Sequence, residues 1–183
     1  MADLFQTGVD TSPGRLLVAH PRLSAGLFSR SVVLIAEHTP AGHRGFILNK
    51  RTDMTLRDIA RQHQFDLPID RTLYQAGPLH AHALTLLHSD EWYSSNTYPV
   101  AGQFHLSSDH LMMEKMQLGD VPRHLRALAG WSGWKQGQLE QEIARGDWLT
   151  CPADPKLVWE TDSNKQWESA VALCSQIMVN SYF

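Results

Sequence analysis

The sequence has few cysteines and lacks both a long apolar run and a positively charged amino-terminal leader. Its two cysteines, Cys151 and Cys174, have no CxxC or Cys-His spacing, which predicts free structural thiols in a reducing compartment instead of a disulfide framework. No window approaches the roughly 18 apolar residues that a membrane-spanning helix needs. We therefore expect a cytoplasmic protein without membrane association.

Basic charge is not in excess either. Lysine and arginine total 16 against 19 aspartate and glutamate, which gives a formal net charge of −3. The closest pairs of arginines, Arg57 with Arg61 and Arg123 with Arg126, lie among acidic residues and are typical of a solvated surface. Because nucleic-acid binding needs a basic helix or stripe, direct binding to nucleic acid is not expected.

The chain also lacks the signatures of nucleophilic catalysis. Ser31 precedes a predicted strand and is not part of a G-x-S-x-G turn, and Cys151 precedes a proline without an obvious basic partner. Internal repeats, low-complexity blocks and linker-like stretches are absent as well. At 183 residues, the chain is expected to form one domain over 1–183, with 1–13 as a flexible amino-terminal arm.

Short apolar runs rich in β-branched and aromatic residues predict strands. The segment 39–42 supplies turn residues between the second and third runs, which therefore predict an antiparallel hairpin. Gly77 and Pro78 predict a turn between two later strands, and 89–99 predicts a loop with room for an edge strand. The predicted strands span 16–19, 32–36, 45–48, 71–76, 83–88 and 125–129.

Four other segments carry apolar residues at helical spacing. The predicted helices span 53–62, 107–118, 138–145 and a final segment that begins near 163. Their predicted N-caps are Asp53 or Thr55 for the first, Ser107 or Ser108 for the second and Ser163, in a capping box with Gln166, for the last. Strands and helices occur without strict alternation, so the fold class is α+β.

Residues 131–140 form the most distinctive segment, because two indoles and five polar side chains surround two glycines. We predict a tight turn over 131–134 that leads into a helix, where backbone amides and the helix amino terminus could receive an anionic guest. The alternative is a structural corner with Trp134 in the core and Glu140 interacting with the helix dipole. The candidate binding residues here are Trp131, Gly133, Trp134, Gln138 and Glu140, together with Gly77 from the earlier turn.

A second candidate cluster occupies the ends of the predicted hairpin. Arg30 could hold a carboxylate or phosphate, and Glu37 and His38 could exchange protons. The alternative is an internal Arg-Glu pair that fixes the hairpin. The candidate residues of this cluster are Arg30, Ser31, Glu37, His38 and Asn49.

Histidines raise the question of a metal. His80 and His82 would share one strand face with His88 farther along, and Glu37 and His38 are followed by His43, but neither spacing is a recognised metal signature. We expect these histidines to be solvated or hydrogen-bonded, and we expect no metal and no other cofactor.

Six motifs, in their order along the chain, resemble those of the bacterial AlgH/YqgE-like family. The resemblance extends from about Gly14 to about Ala170. The resemblance implies an α+β domain whose bifurcated, mostly antiparallel or mixed sheet folds into a pseudo-barrel with flanking helices. It also implies a family described as transcriptional regulators without an established molecular activity. The motifs are LLVAHPRL at 16–23, F-x-RSVVLIAEH at 28–38, GFILNK at 45–50, AGP at 76–78, GW-x-x-GQLE at 133–140 and WL-x-x-PA at 148–153.

The sequence departs from the family pattern at three places, and these departures leave the ligand open. They are Ala76-Gly77-Pro78 for the usual Gly-Gly-Pro, Lys50-Arg51 for Arg-Pro, and Ala129-Gly130-Trp131-Ser132 for Gly-Tyr-Ala.

The leading hypothesis is a non-enzymatic regulatory or adaptor protein that binds a small ligand or a protein partner between the hairpin and the 131–140 segment. The alternatives are a transcriptional regulator that contacts DNA directly, and a hydrolase-like or transferase-like enzyme that uses Glu37 and His38 as acid and base. The oligomeric state is left open.

Overall fold

The computed structural model describes residues 9–181; residues 1–8, 182 and 183 lie outside it. The strands are β1 (Arg15–Ala19), β2 (Val32–Thr39), β3 (Gly42–Ile47), β4 (Arg51–Thr55), β5 (Thr72–Gln75), β6 (Leu79–His88), β7 (Tyr98–Ala101), β8 (Phe104–Ser107), β9 (Leu125–Lys135) and β10 (Trp148–Pro152). The helices are α1 (Leu56–Gln62), α2 (His110–Gln117), α3 (Gln138–Ala144) and α4 (Ser163–Asn180), with one π-helical turn over Lys156–Glu160.

The sheet is antiparallel except for one pair and curls into a half-barrel with helices packed against it, which confirms the α+β prediction. Its main path runs β10-β1-β2-β3-β9-β6-β8-β7, and β5 joins β9 in the parallel pair. Strand β9 is the branch point, because its first half pairs with β5 and β6 and its second half pairs with β3. The bifurcation expected from the resemblance is therefore located at this one strand.

The predicted turn over 131–134 is wrong: this segment is the second half of β9. Gly130 has a left-handed backbone (φ 72°) that bends the strand, but the chain stays extended through Lys135. The turn comes later, where Gly137 (φ 76°) precedes α3. Glycine at 133 marks a close approach to side chains, since a Cβ there would lie 2.9 Å from the Trp131 ring.

Several boundaries also differ from the sequence prediction. Residues 51–55, assigned in part to the first helix, form β4 before Thr55 caps α1 with a capping box shared with Asp58. Asp109, and not Ser107 or Ser108, caps α2, and Asp162, and not Ser163, caps α4. Strands β8 and β10 and the π-helical turn were not predicted.

The core lies on both faces of the sheet. One face packs alternate residues of β1 to β3 against α4 and the π-helical turn, and the other packs the intervening residues against α3 and the 20–31 loop. Cys151 and Cys174 are free buried thiols within the first of these layers, as predicted. A hydrogen bond from the Cys174 side chain lowers the pKa of Cys151, while the same contact and burial raise the pKa of Cys174.

Two further predictions concern the chain terminus and the membrane. Residues 1–8 of the predicted flexible arm lie outside the described residues, but Thr11 is buried and its hydroxyl lies 3.0 Å from His43 Nε2, so the arm is anchored there. Among residues 9–181, no helix combines the length and apolarity required to cross a bilayer.

Candidate functional site

The two sequence clusters meet because β3 pairs directly with the second half of β9. In this antiparallel register Gly42 lies opposite Lys135, His43 opposite Trp134, and Arg44 opposite Gly133. The hairpin places β2 on the other side of β3, with Glu37 opposite Arg44 and His38 opposite His43. One strand pairing thus joins parts of the two candidate sites that are about a hundred residues apart in the chain.

The alternation of side chains divides the combined cluster between the two faces of the sheet. Along β9, Trp131, Gly133 and Lys135 are at least partly exposed, whereas Ser132 and Trp134 are buried. Arg44 and Glu37 share the face of Trp131, and His38 and His43 share the face of Trp134. The candidate residues therefore form two sites back to back.

The more open of these sites is a groove of about 470 Å³, which we name the hairpin pocket. Gly42 and Gly133 line it, and Gln138 borders it from the start of α3. Added side chains at these glycines would meet the Trp134 carbonyl and the Trp131 ring, respectively. The volume is within the range of small-molecule sites, which is about 300 to 1,000 Å³. Its side walls come from Glu37, Arg44, Leu79, Trp131 and Lys135.

An ion pair spans the hairpin pocket on its β2–β3 side. Arg44 Nη2 donates to Glu37 Oε1, and the guanidinium lies 5.8 Å from the centroid of the Trp131 ring. The internal Arg-Glu pair that we considered for this hairpin is thus present, with Arg44 in place of Arg30. Because Glu37 is paired and faces away from His38, these two side chains cannot exchange a proton in this arrangement.

The opposite face holds a compact polar group of His38, His43, Glu140 and Thr11. The His43 side chain is 1% exposed, and its Nε2 lies 3.6 Å from Glu140 Oε1 and 3.0 Å from Thr11 Oγ1. Burial lowers the pKa of His43, the neighbouring His38 lowers it further, and Glu140 acts in the opposite direction. The imidazole is therefore held in its neutral form at neutral pH.

This group is also the one place among residues 9–181 where three metal-ligand atoms gather. One atom each of His38, His43 and Glu140 lie within 4.8 Å of one another, a donor set that zinc accepts. However, the His38 and His43 rings stack with centroids 4.0 Å apart and planes 19° apart. Since imidazole lone pairs lie in the ring plane, those of two stacked rings run side by side and do not converge. The absence of a metal stays our prediction.

Trp134 belongs to the core, as the structural alternative proposed. Its indole Nε1 donates to Glu142 Oε2 at 2.8 Å, and the indole of Trp148 donates to the same oxygen at 2.9 Å. Gln138 donates its amide to the other oxygen, Glu142 Oε1, at 2.9 Å. Trp134 and Glu142 therefore attach α3 to the sheet, and Trp134 also lines part of the hairpin pocket.

The remaining hairpin residues lie near the end of β2 that is away from the 39–42 turn. The length of β2 from Val32 to Thr39 is about 23 Å, at about 3.3 Å per residue. Asn49 joins the two chain segments, because its side chain accepts from Val32 N and donates to the Arg30 carbonyl, both at 2.9 Å. Ser31 is buried and donates to the Phe28 carbonyl at 2.8 Å. Arg30 pairs with Glu168 at 2.8 Å and covers the Trp167 ring. The expectation that all five hairpin residues converge is wrong for these three.

Gly77 has a packing role beside the hairpin pocket. A Cβ at this position would overlap the carbonyl group of Trp131, so only glycine lets the chain pass this close to β9. His80 stacks on the exposed side of Trp131, with centroids 5.6 Å apart, and His82 is exposed. His88 is fully buried and hydrogen-bonded to Ser107 and to the Ser89 carbonyl, as expected for a structural histidine.

Sequence reasoning missed Arg44, Leu79, Lys135 and Glu142. Arg44 could have been found, because a two-residue hairpin loop at Pro40 and Ala41 fixes the register that places it opposite Glu37. Leu79 and Glu142 carried no such local signal, since their roles depend on long-range packing.

Comparison with known proteins supports the same family and architecture. The chain matches the AlgH-like family (DUF179) over residues 16–178. A UPF0301 protein of Methylococcus capsulatus is 35% identical over 169 residues, which cover 88% of this chain and 90% of the relative. A UPF0301 protein of Rhizobium leguminosarum is 31% identical over 169 residues, which cover 87% of this chain and 84% of the relative.

Two solved structures share the fold. The solution structure of AlgH from Pseudomonas aeruginosa superposes with a TM-score of 0.74 at 25% identity, covering 94% of this chain and 92% of AlgH. A crystal structure of a protein from Corynebacterium diphtheriae gives a TM-score of 0.71 at 26% identity, covering 87% and 85% of the two chains. On sequence and architecture, the chain belongs to the AlgH-like family.

Proposed function

We propose that the protein is a non-enzymatic regulatory or adaptor protein that binds a small planar anion in the hairpin pocket. The observation that carries this proposal is the β3–β9 register, which brings hairpin and Trp131 residues to one groove. This pairing places an indole, a lysine and an arginine from separate parts of the chain around two glycines, Gly42 and Gly133.

The chemistry of the walls favours an aromatic or otherwise flat ligand. Trp131 is half-buried and already stacks with His80 on one side, and Leu79 is 41% exposed at the groove. Exposed apolar side chains beside glycine backbone form a surface on which a flat molecule can lie. An indole contributes stacking and apolar area together.

Basic groups at the same groove favour an acidic substituent on that ligand. The side chain of Lys135 has no ion-pair partner within residues 9–181. Arg44 uses one terminal nitrogen for Glu37, while its Nε is buried without a hydrogen-bond partner in the same residue range. A carboxylate, sulfonate or phosphate could accept from both groups.

A binding role fits the pocket better than catalysis does. Among residues 9–181, no pocket-lining side chain is a serine or cysteine. The hydroxyl of Thr39, which also lines the pocket, is hydrogen-bonded to the backbone of Gly42 and Ala41, and Glu37 is held by Arg44. A covalent mechanism needs a nucleophile next to a base, and an acid-base mechanism needs two groups that reach the same substrate atom.

The test uses 8-anilinonaphthalene-1-sulfonate, a fluorescent probe that combines aromatic rings with one anionic group. We expect saturable fluorescence enhancement with the wild-type protein. Gly133→Leu should weaken binding at least tenfold, because the new side chain would fill the groove between Trp131 and Leu79. Lys135→Gln should weaken it roughly three- to tenfold through loss of one charged contact.

The matched control is Lys165→Gln, which removes an exposed lysine on α4 that does not line the pocket. Its affinity should remain within twofold of the wild type. Melting temperatures should be recorded for all variants so that loss of folding is separated from loss of binding. Unchanged affinity in a folded Gly133→Leu protein would place the probe elsewhere and remove the support for this pocket.

A further inference from the structure

A second pocket of about 330 Å³ lies away from the hairpin pocket, between β5, the start of β9 and the π-helical turn. We name it the arginine pocket. Three of its lining residues are arginines, and none of the lining residues is acidic. Its lining includes Arg71, Arg123, Arg126, His124, Tyr74 and Trp159.

Arg126 forms the back of this pocket and corrects the expectation that it lies on a solvated surface. Only 7% of the surface of Arg126 is exposed. Its Nε and Nη2 donate to the Val158 carbonyl at 3.1 and 2.7 Å, and its Nη1 donates to the Leu48 carbonyl at 2.6 Å. The guanidinium also lies 4.9 Å from the centroid of the Tyr74 ring. Carbonyls and a ring face satisfy its donors without supplying a negative charge.

The charge of Arg126 is therefore not balanced by a direct ion pair. No carboxylate among residues 9–181 lies within 4.0 Å of it. Burial lowers the pKa of Arg126, with Tyr74 and the more distant Asp162 acting in the opposite direction. Burying a charge without a counter-charge is costly, so a position like this one gains stability when an anion is present.

The rim of the pocket adds to the positive charge. Arg71 and Arg123 are exposed, and neither side chain is in an ion pair within the described part of the chain. Trp159 lines the same space, and its indole Nε1 is buried without a hydrogen-bond partner there. Its ring is held by stacking against His124 at 5.6 Å. Three guanidinium groups and one unpartnered indole thus belong to the lining of a cavity that has no acidic side chain.

We propose that the arginine pocket binds a phosphate-class anion, such as a pyrophosphate or a small phosphorylated metabolite. The planar fork of arginine donors matches phosphate oxygens, and several arginines are favoured where a multiply charged phosphate is bound. The volume is at the lower end of the range for ligand sites, which suits a compact anion. This site is independent of the proposed function of the hairpin pocket, and either one can fail without the other.

Titration calorimetry with sodium pyrophosphate at low ionic strength, with inorganic phosphate as a second probe, tests the proposal. We expect pyrophosphate to bind, more tightly than phosphate, with an affinity that falls as sodium chloride is added. Arg123→Gln should weaken pyrophosphate binding at least tenfold. Arg61→Gln, which removes an equal charge from an exposed position outside the pocket, should change it less than twofold.

Trp159→Phe provides a second variant that keeps an aromatic ring beside His124 and removes the indole donor together with one of the two indole rings. It should keep the wild-type melting temperature within a few degrees and weaken pyrophosphate binding by at least threefold. Absence of pyrophosphate binding to the wild type at low ionic strength would overturn the proposal. Equal losses in Arg123→Gln and Arg61→Gln would overturn it as well, because general charge attraction would then explain the binding.

Discussion

The hairpin pocket and the arginine pocket use positive charge in opposite ways. In the hairpin pocket, Arg44 is paired with Glu37 across two strands, and the nearby His43 faces Glu140. In the arginine pocket, Arg126 is buried against carbonyls and an aromatic ring without a carboxylate in contact. The first region balances most of its own charge and offers apolar surface, whereas the second lacks a counter-charge.

This difference indicates how the regions should respond to mutation. Residues that complete an internal pair or a tight packing contact should matter for the free energy of unfolding. Residues that surround an unbalanced charge should matter for ligand affinity and little for folding. The largest effect on folding is expected from the packing beside the hairpin pocket.

Gly77→Ala should give the largest loss of stability, about 3 kcal/mol, because the new Cβ would overlap the backbone of Trp131 and force β9 to move. Urea denaturation at neutral pH measures the change. The adjacent, exposed Pro78→Ala is the control and should cost less than about 1 kcal/mol. Similar values for the two variants would show that the close approach at Gly77 is relieved without cost.

Glu142→Ala should cost about 2 kcal/mol, because it leaves the indole nitrogens of Trp134 and Trp148 without their shared acceptor. The same denaturation experiment on Glu114→Ala, at an exposed position of α2, should show a change within about 0.5 kcal/mol. Arg123→Gln should also stay within about 0.5 kcal/mol, because its side chain is not in an ion pair. A loss of stability in Arg123→Gln equal to that of Glu142→Ala would contradict the division between the two regions.

The smallest effect is a pH dependence that originates at His43. Because its pKa is lowered in the folded protein, the unfolded chain binds more protons once the pH falls below about 6.5. The contribution of neutral His43 to the free energy of unfolding is fully present above that pH. It is lost as the pH falls towards the folded-state pKa of His43. The buried His88 shifts in the same direction. Arginine keeps its charge over this range, so the arginines of the second pocket should add no such dependence.

Thermal unfolding between pH 7.5 and 5.0 measures this effect in the wild type and in His43→Gln. Glutamine keeps a polar group near Thr11 but cannot take up a proton, so the variant should lose less stability over this interval. An equal loss in both proteins would assign the pH dependence to other groups.

Much of the fold was predictable because the signals were local. The apolar runs up to Leu48 are uninterrupted and each contains β-branched residues, and the turn at 39–42 fixes the hairpin. The 131–134 segment was mistaken for a turn, because glycine in a strand resembles turn chemistry unless the side chains packed above it are known. Here those side chains are Trp131 itself and Leu79, and the latter arrives from a different strand.

The candidate site was predictable in outline and not in orientation. The sequence indicated both clusters, but strand alternation places Trp131 and Trp134 on opposite faces of β9, and this follows only once the segment is recognised as a strand. Arg126 was misjudged because an arginine near other charges is normally exposed. Its burial depends on the Val158 carbonyl, which the unpredicted π-helical turn supplies.

The central claim is that the hairpin pocket is the ligand site. Its most direct test is a titration of the nitrogen-15-labelled protein with 8-anilinonaphthalene-1-sulfonate, followed by two-dimensional NMR spectra of the backbone amides and the indoles. The pocket geometry predicts that the largest chemical-shift changes occur at 42–44 and 131–135, including the indole of Trp131, with little change at Arg71, Arg123 and Trp159. Shifts concentrated in the arginine pocket, or on the exposed apolar residues 177–179 of α4, would contradict it.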